Sequence, residues 1–267
     1  MAHELDVNRA QWNERTIVHA ASDFYDVAGF RAGQQTLRAL ELEEVGDVRG
    51  KRLLHLQCHF GLDTLSWARL GASVTGVDFS SEAIALAREL AAELELEASF
   101  VCSDVYELRS HLRERFDIVF ASYGVLVWLP DLVRWAQLVA HFLAEGGFFY
   151  LVDGHPVGVM LEEQDGRLVA VEPYFDVGPV EVPGGSTYAD PEAVLANAMS
   201  YQWQHSLADV VSALAGEGLR IEFLHEFPFA ASQRVPGMVR GEDAWWRLPD
   251  RNDVPFLFSI RASKDRI

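Results

Sequence analysis

The sequence predicts an α/β fold in which a mostly parallel sheet is covered by helices on both faces. Short apolar runs alternate with longer amphipathic stretches, and capping residues or glycines stand at the ends of those stretches. Parallel strands need a crossover connection, which is usually a helix. The 267 residues therefore predict one large domain with additions, in which the crossovers are right-handed.

Five strands are predicted before residue 155, each as a short apolar run that suits a buried position. They are residues 52–56, 73–77, 98–101, 116–122 and 147–152. Helices are predicted from Leu62 to a stop at Gly71, from Ser81 with Ser80 or Ser81 as its cap, and from Pro130 and Asp131 to Gly146 and Gly147.

Two further regions flank this regular part. Residues 1–50 are predicted to form an N-terminal helical cap, with helices over 6–19 and 31–45. Residues 51–267 are predicted as the α/β domain, with a β-rich substrate-lid insertion at about 156–203, where five prolines interrupt the pattern. Ser206 and Asp209 then form a capping box before a helix, and residues 219–227 and 254–262 are the predicted closing strands.

Composition excludes several classes of function. Acidic residues outnumber basic ones by 40 to 22, and the net charge of −18 repels phosphate backbones and anionic membrane surfaces. Only two cysteines are present, so no disulfide framework is indicated. The N-terminus is polar, and no apolar run approaches the roughly 18 residues of a membrane span. We expect a cytoplasmic protein without a nucleic-acid or membrane partner.

The loops that follow the predicted strands contain the candidate binding residues, because ligands of open parallel sheets bind beyond the carboxyl ends of the strands. Asp78 closes the second strand, where a carboxylate accepts hydrogen bonds from a ribose diol. Asp104 follows the third strand and is placed to accept from an adenine amine. In the first loop Gln57 and His59 replace glycines that a pyrophosphate would need. This pattern predicts an adenosine without a diphosphate and disfavours a nicotinamide oxidoreductase.

Over about residues 50–155 the chain resembles the class I S-adenosylmethionine-dependent methyltransferases. Residues 54–61, LHLQCHFG, are similar to the family's first motif, of whose glycines Gly61 remains. Asp78 matches the family's ribose-binding acid and Asp104 its adenine-side acid, while FDIVFAS and LAEGGFFYLV resemble the fourth motif and the entry to strand five. The form LQCHFGxDT resembles a bacterial subgroup that acts on small molecules.

The resemblance implies a doubly wound, seven-stranded Rossmann-like sheet and an enzyme that transfers the methyl group of S-adenosylmethionine to a small-molecule acceptor. The product would be S-adenosylhomocysteine. The alternative is a catalytically silent protein that binds these ligands on the same fold. The residues expected to bind the cofactor are Tyr25, Gln57, His59, Gly61, Asp78, Phe79, Ser103, Asp104, Val105, Ser122 and Tyr123.

No metal is expected, because His55 lies on a strand while Cys58 and His59 lie in the turn after it, so their side chains diverge. His155, directly after the fifth strand, is the best-placed general base if the acceptor is a hydroxyl, an amide or a carbon acid. A structural histidine before a proline is an equal alternative. His19 and His205 are interpreted as structural.

Aromatic side chains form the remaining candidates. Trp128 is either a site residue or a packed hydrophobe. The rings of the insertion either line an acceptor pocket or form the insertion's own core; they are Tyr174, Phe175, Tyr188, Tyr201 and Trp203. Because no basic stripe is present, the acceptor is predicted to be uncharged or cationic, and a homodimer is left open.

Overall fold

A computed structural model describes residues 2–175, 178–249 and 251–266. At its centre lies a seven-stranded sheet. The strands are β1 (Arg52–Leu56), β2 (Ser73–Asp78), β3 (Ala98–Cys102), β4 (Phe116–Ser122), β5 (Leu143–Gly154), β6 (Arg220–Phe227) and β7 (Leu257–Ser263). Their spatial order is β6-β7-β5-β4-β1-β2-β3.

The sheet is parallel except at β7, which pairs antiparallel with β5 on one side and with β6 on the other. The order reverses between β1 and β4, since chain direction leads first to β2 and β3 and then returns to β4. Ligands bind at such a switch point. The predicted α/β class, the seven strands and the mostly parallel pairing are confirmed.

Eight helices accompany the sheet in the described part of the chain. They are α1 (Ala2–Ala21), α2 (Val27–Arg31), α3 (Ala39–Val45), α4 (Leu62–Arg69), α5 (Ser81–Glu93), α6 (Leu132–Phe142), α7 (Pro156–Val159) and α8 (Leu207–Gly216). Short 3₁₀ segments cover Val105–Ser110 and Leu126–Trp128.

Both faces of the sheet are buried, as the apolar strands require. Leu54 packs with α6 and α8 in one hydrophobic cluster, whereas its neighbour Leu53 packs with α3 and Trp67 of α4 in another. Successive side chains of a strand point to opposite faces, so a strand that is apolar at every position needs helices on both sides. The doubly wound arrangement follows directly from this pattern.

The predicted helix starts are confirmed by their caps. The Ser80 side chain accepts from the backbone N–H of Ala83, and Ser206 and Asp209 form both bonds of a capping box.

The predicted end of α6 at Gly146 and Gly147 was wrong. The helix ends at Phe142 and β5 begins at Leu143. The ammonium group of Lys264 donates to the carbonyls of Ala140 and Leu143, at 2.7 and 3.2 Å, and so satisfies the end of α6 without a glycine.

The N-terminal layer is helical, but the predicted helix over 31–45 was too long. Gly33 has φ of 104°, a conformation that ends α2, and regular helix resumes only at Ala39. The insertion is β-rich as expected, with α7 followed by two antiparallel pairs. These pairs join Leu161–Gln164 to Arg167–Ala170 and Val180–Pro183 to Met199–Gln202.

A small three-stranded sheet between β6 and β7 was not predicted. It joins Phe229–Ala230, Trp246–Arg247 and Val239–Arg240. Strands of two residues carry no period that a sequence pattern can show. Across the residues the structure describes, no helix is both long and apolar enough to cross a bilayer.

Candidate active site

Helix α1 lies over the loops that follow β1 and β2. The Trp12 ring centre is 5.2 Å from that of His59, and the Ser80 hydroxyl donates to the Asn13 side chain at 2.7 Å. The buried residues of α1 are polar; they are Asn8, Gln11, Thr16 and His19. A helix that covered only a hydrophobic core would bury apolar residues, so α1 covers a polar site.

The loop after β1 has the backbone of a glycine loop although it carries side chains. Gln57, His59 and Gly61 have φ of 54°, 51° and 80°, in the left-handed region that favours glycine. For a residue with a Cβ this conformation costs about 1–2 kcal/mol. At Gly61 a side chain is also excluded by space, because a Cβ would lie 2.8 Å from the Phe100 ring.

The two strained residues direct their side chains to different elements. The Gln57 amide donates to the Val125 carbonyl at 3.0 Å, in the segment that follows β4. The His59 imidazole instead lies against α1, with its Nε2 2.9 Å from Nδ1 of His19. Backbone strain held in place by packing is typical of functional sites.

Asp78 fastens this loop to the end of β2. Its carboxylate accepts the backbone N–H of His59 and that of Ser80, each at 2.9 Å. The side chain is buried, and burial raises its pKa to about 6 against these hydrogen bonds. A carboxylate has about four lone-pair sites, so Asp78 retains acceptor capacity for a ligand's hydroxyls.

The predicted residues after β3 lie beside Asp78. Asp78 pairs in register with Cys102, and the backbone N–H of Ser103 donates to the Asp78 carbonyl at 2.9 Å. Asp104 caps the 3₁₀ segment that starts at Val105 and accepts from Tyr106 N–H at 2.9 Å. Burial raises the pKa of Asp104. Phe79, between the two ends, is half-buried.

The end of β4 brings in charged residues that sequence reasoning missed. Asp63 accepts from Ser122 and, at 2.7 Å, from Thr36. The Arg38 guanidinium lies 5.8 Å from the ring centre of Tyr123, whose φ is 54°. Arg38 and Asp63 thus place one cation and one anion near the ends of β1 and β4.

Glu41 of α3 is fully buried close to Tyr123, and burial raises its pKa to about 7. Its position could have been noticed in the sequence. Leu37, Glu41 and Val45 recur at four-residue spacing and are all buried, the first just before α3 and the other two on it. An acid in such a stripe is a signal of an unusual environment.

At the end of β5, Asp153 accepts backbone N–H groups from Gly124, Val125, Leu126 and Gly154. This carboxylate ties β5 to the segment after β4, and no sequence pattern had pointed to it. Burial raises its pKa.

His155 has partners on both ring nitrogens. Its Nδ1 accepts from the backbone N–H of Val157 at 3.0 Å, so the neutral ring carries its proton on Nε2, which donates to Glu226 at 2.7 Å. Burial lowers the pKa of His155, while Glu226 opposes that shift. A role as general base stays a prediction and requires one of these hydrogen bonds to break.

Tyr25 belongs to a cluster of rings that we call the aromatic cover. Its members pack against one another above the β1 loop, mostly edge-on or tilted, with His19 stacked on Tyr25; they are Trp12, His19, Tyr25, His59, Trp128 and Tyr188. The hydroxyls of Tyr25 and Tyr188 are hydrogen bonded to each other. The insertion thus contributes to this end of the sheet.

His19, interpreted as structural from the sequence, is part of the aromatic cover. Besides His59 it contacts the Thr187 hydroxyl at 2.9 Å, and burial lowers its pKa to about 3, so that the ring is neutral at pH 7. His205 contacts the Leu129 carbonyl at 2.7 Å. The described residues contain no group of three or more histidine, cysteine, aspartate or glutamate side chains that could hold a metal ion.

Residues 53–147 match a protein-family model described as a methyltransferase domain. An enzyme named ubiquinone biosynthesis O-methyltransferase, from Alkalilimnicola ehrlichii, is 33% identical over 132 residues, which are 48% of this chain and 53% of that protein. The chain thus spans about half the length of the curated relative it matches.

Two solved structures share the fold over most of the chain. An S-adenosylmethionine-dependent methyltransferase from Mesorhizobium loti aligns with a TM-score of 0.61 at 22% identity, covering 84% of this chain and 97% of that one. The glycopeptide N-methyltransferase MtfA in complex with S-adenosylmethionine aligns with a TM-score of 0.52 at 18% identity, covering 83% and 90%. The match to a methyltransferase domain thus covers residues 53–147, and the chain shares the fold of these two methyltransferases.

Proposed function

We propose that this protein binds S-adenosylmethionine across the ends of β1 to β4 and transfers its methyl group to a small-molecule acceptor. The observation that carries the proposal is Asp78, a buried carboxylate that holds the β1 loop and still has acceptor capacity at the switch point. The resemblance to MtfA, a protein crystallised with S-adenosylmethionine, supports the choice of cofactor.

In the proposed complex Asp78 accepts hydrogen bonds from the ribose hydroxyls. The segment Phe79, Ser103, Asp104 and Val105 borders the adenine, with Asp104 as acceptor for the exocyclic amine. The amino-acid end of the donor is zwitterionic, and Asp63 and Arg38 supply an anion and a cation beside Ser122 and Tyr123. Gln57, His59 and Gly61 form the floor between these two ends, and Tyr25 lies above it.

Methyl transfer needs positioning more than activation, because the sulfonium is already a good electrophile. The acceptor's nucleophilic atom forms a bond to the methyl carbon while the carbon–sulfur bond breaks and its electron pair goes to sulfur. The protein must align these atoms about 3–3.5 Å apart and exclude water. Helix α1 and the aromatic cover are the elements that shield this end of the sheet. An acceptor that loses a proton also needs a base, for which His155 is the candidate.

The test is calorimetric titration with S-adenosylmethionine, S-adenosylhomocysteine and NAD⁺. We expect both adenosyl ligands to bind and NAD⁺ to give no heat. Asp78→Asn should weaken S-adenosylhomocysteine binding by about 1–3 kcal/mol, the usual cost of losing hydrogen bonds to a charged acceptor.

The matched control is Asp265→Asn, which makes the same charge change at an exposed site after β7 and should leave affinity unchanged. If the wild-type protein binds neither adenosyl ligand, the proposed function is overturned. Binding without turnover of the donor in any acceptor screen would instead favour the silent protein on the same fold.

A further inference from the structure

Arg15 of α1 is a half-buried cation without an anionic partner among the described residues. Its guanidinium lies between two indoles, 5.2 Å from the ring centre of Trp12 and 5.7 Å from that of Trp128. Its Nε is inaccessible to water and has no hydrogen-bond acceptor in the part of the chain that the structure describes. No carboxylate among the described residues forms an ion pair with the guanidinium. Burial lowers its pKa.

The other arginines that pack into the fold show how unusual this is. Arg38 donates to the carbonyls of Ala244 and Ala231, and Arg69 donates to those of Gln34 and Phe30. Arg261 pairs with a glutamate and donates to a backbone carbonyl. A protein with 40 acidic residues has ample means to pair a cation, so an unpaired guanidinium beside the methyl-transfer site indicates a partner that is not part of the chain.

Further unpartnered polar groups accompany Arg15. Gln11 is fully buried, and neither its amide nitrogen nor its amide oxygen has a partner in the described ranges. Gln11 precedes Arg15 by four residues, which places both on one side of α1. Nδ1 of His59, whose ring packs edge-on with that of Trp12, is likewise buried and has no hydrogen-bond partner among the described residues. Each such group costs free energy in the free protein unless a ligand satisfies it.

We propose that the acceptor carries a carboxylate on a planar, apolar body, and that Arg15 binds this carboxylate. This inference rests on the proposed function and names the class of its acceptor. The guanidinium presents its donors in a fork that matches a carboxylate, and Gln11 supplies an amide N–H from the same side of α1. The indoles of Trp12 and Trp128 and the rings of Tyr25 and Tyr188 give the walls that a planar body needs.

This acceptor differs from the uncharged or cationic one predicted from the sequence. That prediction rested on the net charge of −18 and the lack of a basic stripe. Net charge governs long-range attraction, whereas the contact that selects a ligand is local and acts in a low-dielectric environment. One desolvated arginine between two indoles therefore outweighs distant surface carboxylates at this point.

The test uses benzoate as the probe and benzamide as its uncharged counterpart. Protein loaded with S-adenosylhomocysteine is titrated with each, and the indole N–H signals of Trp12 and Trp128 are followed by NMR. We expect saturable shifts with benzoate, binding at least about tenfold weaker for benzamide, and a similar loss for Arg15→Gln. Arg247→Gln is the matched control, since Arg247 also stacks on a ring but is paired with Asp243; it should bind benzoate like the wild type.

The inference is overturned if benzoate fails to saturate these signals, if benzamide binds equally well, or if Arg15→Gln binds benzoate normally. It is also overturned if Arg15→Gln loses S-adenosylhomocysteine, because Arg15 would then hold the donor. A different result would overturn the proposed function alone. In that case the wild type does not bind S-adenosylhomocysteine, but its binding of benzoate still depends on Arg15.

Gln11→Leu gives a second readout that does not depend on Arg15. Leucine removes a buried amide without partners, so the free protein should become more stable to urea while benzoate binding weakens severalfold. A variant that is more stable and binds benzoate as tightly as the wild type would remove Gln11 from the proposed contact and count against the site.

Discussion

The ends of β2 and β5 each bury a carboxyl group, but the protein satisfies the two groups to different degrees. Asp153 accepts from four backbone N–H groups, whereas Asp78 accepts from two. Since a carboxylate has about four lone-pair sites, the chain itself saturates Asp153 and leaves Asp78 with spare capacity. A buried acid can thus be a structural clamp or a ligand site, and the number of its protein donors distinguishes the two.

Removal of the clamp should have the largest effect. Asp153→Ala leaves four backbone N–H groups without their acceptor, two of them on the buried residues Val125 and Leu126, and we expect the free energy of unfolding to fall by about 3–5 kcal/mol. Asp153→Asn keeps one acceptor oxygen and should lose about half as much. Urea denaturation measures both, with the exposed Asp265→Ala as the control. A loss below about 1 kcal/mol for alanine would show that the clamp contributes little.

Glu41 extends the comparison to a buried acid whose carboxyl oxygens have no hydrogen bond of normal geometry among the described residues. Burial raises its pKa from 4.5 to about 7, against a smaller opposing effect of the Tyr123 hydroxyl. The native state therefore binds this proton more tightly than the unfolded state. Stability from this group is present below about pH 4.5 and is lost as the pH rises to about 7, by up to about 3 kcal/mol.

Glu41→Gln removes that titration. We expect the variant to gain stability over the wild type at pH 8 and to differ little at pH 5, as measured by urea denaturation at both values. An equal difference at the two pH values would mean that Glu41 does not titrate in this range.

A substitution of His155 tests whether this residue, at the end of β5, has only a structural role. Its contacts to Val157 and Glu226 lead us to expect that His155→Asn lowers stability by about 1 kcal/mol, because asparagine still caps α7. If these contacts are the whole role of His155, the rate of methyl transfer should change by no more than about threefold. A general base would behave differently, with a rate loss of about 10²–10⁴ and unchanged S-adenosylhomocysteine affinity.

The smallest effect concerns backbone strain near Asp78. Glu95 ends α5 with φ of 53°, close to the 51° of His59, but it is exposed. Glu95→Gly should stabilise the protein by about 1 kcal/mol by relieving the left-handed conformation. His59→Gly relieves the same strain but loses the contact to His19. If thermal denaturation showed the same gain in stability for His59→Gly as for Glu95→Gly, the contact of His59 with His19 would contribute nothing to stability.

The central sheet could be predicted because its signals are local. The apolar run of residues 52–56, the Ser80 cap and the Ser206 capping box each lie within a few positions of the structure they specify. Asp78 and Asp104 were found by the same reasoning, since the end of a strand is a position in the sequence. Their proximity follows from the parallel pairing of β2 with β3.

Tyr25, Trp128 and Tyr188 of the aromatic cover were candidates from the sequence, but the contacts within the cover could not be predicted, because they join residues far apart in the chain. Tyr25 and Tyr188 are 163 positions apart, and His19 and Thr187 are 168 apart. Arg38, Glu41, Asp63 and Asp153 each look like ordinary charged residues until the fold buries them.

Sequence by itself determined the α/β class, the succession of strands and motifs along the chain, and the acids at the ends of β2 and β3, since short-range propensity and periodicity decide these features. Only the tertiary structure decided which charges are desolvated and which polar groups lack partners. The reason is physical: burial and hydrogen-bond saturation depend on all elements that meet at a point, and at Arg15, Asp78 and Asp153 those elements come from distant parts of the chain.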